Sequence, residues 1–80
     1  MDLVVALDQL QKARQYVRDG KKCLLEQGRI VARLERERRD TVQAILLLED
    51  LEEIQAGYVA YRDRLEKQVL RLVIPADEDA

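Results

Sequence analysis

Eighty residues with 48% apolar and 38% charged side chains make at most one domain, and that pairing of values suits long amphipathic helices better than a compact globule. The absence of His and the presence of one Cys, one Pro and three Gly leave no components for zinc sites, imidazole catalysis or a disulfide scaffold. The net charge of −2 conceals an asymmetry: residues 1–39 carry ten Lys/Arg against six Asp/Glu, and residues 40–80 carry four against ten, a complementarity expected of two helices lying side by side.

Leu, Ala, Glu, Arg and Gln dominate and strand formers are scarce, so the fold class expected is all-α. From Leu3 to Leu34 apolar residues recur every seven positions at Leu3, Leu10, Val17, Leu24 and Val31. A second row follows three positions later, at Ala6, Ala13, Gly20, Gln27 and Leu34, and the two rows together make a helical seam. The small residues of the second row invite close approach of a partner helix. Gly20 is expected to make room for Val59 or Tyr58.

The periodicity breaks over Glu37-Arg38-Arg39-Asp40-Thr41. Asp40 or Thr41 suits a helix N-cap, and the arginines before them suit the negative end of the preceding helix. Helix 1 is therefore expected at about 3–37, a turn at about 38–41 and helix 2 at about 42–73, forming one helical-hairpin domain over residues 1–75. In the second helix the seam reads Ala44, Leu51, Tyr58, Leu65 and Leu72, accompanied by Leu47, Ile54 and Tyr61 three positions later. Pro75 ends it, because a proline disfavours helical geometry in the residue before it. Residues 76–80 read as an acidic, solvated tail.

A short turn makes the helices antiparallel, each about 50 Å long at 1.5 Å per residue. With the turn centred near Arg39, Arg29 and Arg33 are expected beside Asp50 and Glu49. The flanks of the seam are apolar as well, at Val4, Leu7 and Leu25 on the first helix and at Ile45, Leu48, Val69 and Val73 on the second. This flank is the candidate face for a second copy or another protein, and a homodimer forming a four-helix bundle is its simplest use.

The run Asp40-Thr41-Val42-Gln43-Ala44, then Leu47-Leu48, Glu52-Glu53-Ile54-Gln55-Ala56 and Val59-Ala60-Tyr61-Arg62-Asp63-Arg64-Leu65 resembles a group of small bacterial helical proteins with no assigned activity. Gln27 and Arg29-Ile30-Val31-Ala32-Arg33-Leu34-Glu35-Arg36 look like the end of that group's first helix, so the likeness covers roughly residues 26–65. The chain departs from the pattern at Arg39, near a common Gly, and at Tyr58, where a His is common.

Chemistry is largely excluded. Glu49, Asp50, Glu52 and Glu53 lack the Glu-x-x-His partners of a di-metal bundle and read as a solvated acidic face. The glycines are isolated within helical patterns, so no loop cradles phosphate. Cys23, one place before Leu24, reads as a half-buried, inert thiol. Tyr58 and Tyr61 read as interface aromatics. No apolar stretch approaches the ~20 residues of a membrane span, and the chain opens with no charged leader, so a cytoplasmic location is expected. The function expected is a non-enzymatic helical protein–protein interaction module without cofactors. The alternative is a nucleic-acid-binding hairpin dimer using a basic tip of Arg33, Arg36, Arg38 and Arg39, although acidic neighbours interrupt that tip and no aromatic is interleaved with it.

Overall fold

A computed structural model describes residues 2–74. The acidic tail expected at 76–80 lies outside the described residues. The chain forms two helices, α1 at Leu3–Arg36 and α2 at Val42–Val73, packed antiparallel into a hairpin with principal extents of 64 × 22 × 15 Å. It is an all-α two-helix hairpin.

Each helix end has a local cause. Asp2 caps α1, its carboxylate accepting the Val5 N–H at 2.9 Å. At the other end the Arg38 N–H donates to the Glu35 carbonyl (3.1 Å) and the Arg39 N–H donates to the Leu34 carbonyl (2.9 Å). This is the crossed bonding of a Schellman motif, which satisfies carbonyls that the helix leaves without partners. The motif requires a left-handed residue just past the cap, and Arg38 adopts it at φ 55°, where glycine is the usual solution.

At the start of α2 the Asp40 carboxylate accepts the Val42 N–H at 3.0 Å, whereas the Thr41 side chain makes no capping bond. Ile74, immediately before Pro75, has ψ 123° and leaves the helical region, as the proline ring requires.

Along α1 the residues facing α2 include Ala6, Leu10 and Ala13, all buried, followed by half-buried Val17, Gly20, Leu24, Val31 and Leu34 and by buried Gln27. Leu3 lies at the open end of the hairpin and is exposed. On α2 the facing rows are Ala44, Leu51, Tyr58 and Leu65, and Leu48, Gln55, Arg62 and Val69, all half-buried except buried Leu65. The second of these rows follows the first by four positions, not three. Leu47 and Ile54, placed in the seam by their spacing in the sequence, are instead 48% and 50% exposed. Conversely, Leu48 and Val69 turn into the seam, away from the flank expected of them. Leu72, in the last turn of α2, is also exposed.

The seam is thin. Its buried cluster is Leu10, Ala13 and Leu65, with Tyr61 and Val69 packed against it. Two glutamines tie the helices reciprocally. The Gln27 side-chain amide donates to the Ala44 carbonyl at 3.0 Å, and the Gln55 amide donates to the Val17 carbonyl at 2.8 Å. Each bond is worth about 1 kcal/mol net, and because each joins one side chain to one carbonyl of the facing helix, they select the axial register.

Gly20 accommodates the second tie. A Cβ there would collide with the Gln55 carboxamide oxygen and lie 2.9 Å from its Cδ, with Tyr58 Cδ2 at 3.4 Å. The side chain lodged over Gly20 is thus Gln55, with Tyr58 beside it. The three atoms nearest that position belong to Gln55 and Tyr58, none to Val59.

Candidate functional site

Two sides of the hairpin flank the seam, and the sequence continues a three-four spacing onto each. On one side α1 carries Tyr16 and Cys23, while α2 carries Ile54. The two helices there border an open groove of about 330 Å³ whose lining includes these residues, Leu51 and Tyr58. Tyr16 stacks on Tyr58 with ring centroids 5.5 Å apart and 26° between planes, an offset geometry that aromatic quadrupoles favour. Sequence reading singled out Tyr58 and missed Tyr16, although its place directly before seam residue Val17 was the available signal. Cys23 is exposed. Its position one step before Leu24 rotates it out of the seam and onto this groove.

The other side carries the flank residues. Val4 is 77% exposed, and Leu7, Leu25, Ile45 and Val73 are exposed as well. The Arg14 guanidinium meets the Glu66 carboxylate across the seam here at 3.4 Å, beside a shallow recess lined by Leu10, Arg14, Glu66, Val69 and Leu70. Among the described residues this is the ion pair that joins the two helices; Arg29 and Arg33 form none with Asp50 or Glu49. The guanidinium of Arg62 pairs with its neighbour Asp63, and that of Arg64 lies over the Tyr61 ring, 5.8 Å from its centroid.

At the turn end Arg33, Arg36, Arg38 and Arg39 are all exposed. Arg33 and Arg36 border a recess shared with Glu26, Arg29 and Ile30, and Arg39 lies 3.6 Å from Glu37. The four arginines are divided between the last turn of α1 and the left-handed loop. They do not converge on one concave surface. Glu49, Asp50, Glu52 and Glu53 are exposed, and among the described residues no group of three His, Cys, Asp or Glu is arranged to hold a metal ion. No described helix is long and apolar enough to cross a membrane.

The class the fold defines is therefore a two-helix hairpin with apolar outer faces. No known family, characterised protein or solved structure matches the chain.

Proposed function

We propose that the protein is a non-enzymatic interaction module that acts by packing its helices against other helices, most simply those of a second copy in a four-helix bundle. One observation carries this reading. Among the described residues four apolar side chains are buried, Ala6, Leu10, Ala13 and Leu65, whereas fifteen large hydrophobics are exposed. Extended apolar surface of that kind marks interaction sites in soluble proteins. Two alanines and two leucines are a small core, since burying a leucine stabilises by about 1.5–3 kcal/mol and chains of this size are marginally stable even with an ordinary core. Covering the outer faces supplies what the seam lacks.

Thermal unfolding across a hundred-fold range of chain concentration tests the proposal, because association of folded chains raises the midpoint by mass action. The midpoint is expected to climb with concentration. A cooperative transition whose midpoint is independent of concentration would contradict self-association.

A further inference from the structure

The side of the hairpin that bears the Arg14–Glu66 pair is patterned more deeply than its exposure alone shows. On α1 the positions at three-four spacing run Val4, Leu7, Gln11, Arg14, Arg18, Lys21 and Leu25. Apolar side chains occupy the two ends and the centre is basic. On α2 the same spacing gives Val42-Ile45, Glu49-Glu52, Ala56-Val59, Asp63-Glu66 and Leu70-Val73, apolar pairs alternating with acidic ones. Val4, Leu7 and Leu25 with Val42, Ile45, Leu70 and Val73 make up seven of the fifteen exposed large hydrophobics. Every charge on the α1 stripe from Arg14 to Lys21 is positive, and every charge on the α2 stripe is negative. The opposite side, at Tyr16, Cys23 and Ile54, has no such division: Lys12, Asp19 and Glu26 flank it on α1, and Asp50 and Arg64 on α2.

We infer that this face docks a second copy of the chain, with α1 of each hairpin lying across α2 of the other and both turns at the same end. The inference rests on the self-association proposed above and specifies its surface and orientation. A two-fold axis parallel to the helices involves no sliding along them, so axial levels carry over from the hairpin itself. Within the hairpin Arg14 stands level with Glu66. In the dimer Arg14 therefore meets Asp63 and Glu66 of the second copy, while Val4 and Leu7 meet its Leu70 and Val73. With the turns at opposite ends α2 would lie on α2, setting Glu49 and Glu52 against Asp63 and Glu66, and Arg18 would face Lys21. Like charges so placed disfavour that arrangement. The hairpin's outline of 64 by 22 Å exceeds the ~800 Å² per partner of a standard stable interface.

The test is cross-linking between single-cysteine chains in the full-length protein. In a Cys23→Ser background, Leu7→Cys and Leu70→Cys chains are mixed, refolded together and oxidised. Both positions are about half exposed, so the substitutions leave the seam intact, and helicity verifies folding. Hetero-disulfide is expected to form about a thousand-fold faster in the mixture than homo-disulfide in either chain alone, the ratio of a millimolar effective concentration to a micromolar free one. A control mixture of Tyr16→Cys and Ile54→Cys, on the opposite side, is expected to show no such preference. Preference in the control pair and none in the Leu7–Leu70 pair overturns this face, as does a dimer that cross-links through neither. A chain that sediments as a monomer overturns the underlying association itself, which keeps the two failures distinct.

Discussion

Replacing Gly20 tests the packing of the seam most sharply, because two opposing effects of similar size meet there. An exposed mid-helix Gly→Ala change gains about 1 kcal/mol of helix propensity. At position 20 the new Cβ would take the space of the Gln55 carboxamide and approach its Cδ to 2.9 Å, so the side chain must swing away and abandon the Val17 carbonyl, to which it donates at 2.8 Å. The lost bond costs about 1 kcal/mol, so Gly20→Ala should be close to neutral. In a Gln55→Ala background the obstacle is gone and the same substitution should stabilise by the full ~1 kcal/mol. The double-mutant cycle therefore predicts a coupling of about 1 kcal/mol. Gly20→Leu, which must also displace the Tyr58 ring edge, should destabilise by about 1–3 kcal/mol despite its better propensity. Urea unfolding followed by far-UV circular dichroism at one fixed chain concentration gives all the required values. Equal stabilisation by Gly20→Ala in both backgrounds, or a Gly20→Leu variant more stable than the parent, would refute the reasoning.

Arg38→Gly should raise stability by up to about 1 kcal/mol in the same urea assay, since φ 55° costs a side-chain-bearing residue about 1–2 kcal/mol and glycine gives part of that back in chain entropy. Leu65→Ala should lose about 2–5 kcal/mol in that assay, and Leu65→Asp should abolish the cooperative transition altogether because it buries an unpaired charge. Leu47→Ala, at a side chain 48% exposed and off the proposed dimer face, should cost far less than Leu65→Ala in the same assay. In a gel-shift assay at ~50 mM salt the dispersed arginines at the turn should produce no retardation of nucleic acid, and a shift that vanishes at ~200 mM would instead favour phosphate-driven binding.

The two helices and their antiparallel arrangement were legible from composition, the seven-residue recurrence and the break at residues 37–41. The rotation of α2 about its axis was not. Counting from Ala44, Leu51 and Tyr58, the row three positions on holds Leu47, Ile54 and Tyr61, and the row four positions on holds Leu48, Gln55, Arg62 and Val69. Hydrophobicity favours the first, yet of that row only Tyr61 packs against the seam, and the second supplies half-buried residues along its whole length. Gln55 enters the seam as a donor to a backbone carbonyl opposite a glycine, and no apolar periodicity reports such a contact. Cys23 follows the same logic, since one position of helical rotation separates a half-buried site from an exposed one. The left-handed Arg38 was hidden for a different reason: the turn lacks the glycine that normally announces a Schellman ending. The outer faces were only partly legible from the sequence, because Leu48 and Val69 were assigned to a flank they do not share with Val4, Leu7 and Ile45.

Sedimentation equilibrium at micromolar chain concentration tests most directly the central claim, that an apolar face left open by the hairpin is covered by a second copy. The account predicts a helical species of twice the 9.3 kDa chain mass, dissociating on dilution with loss of helicity. A stable, cooperatively folded species at 9.3 kDa would contradict it.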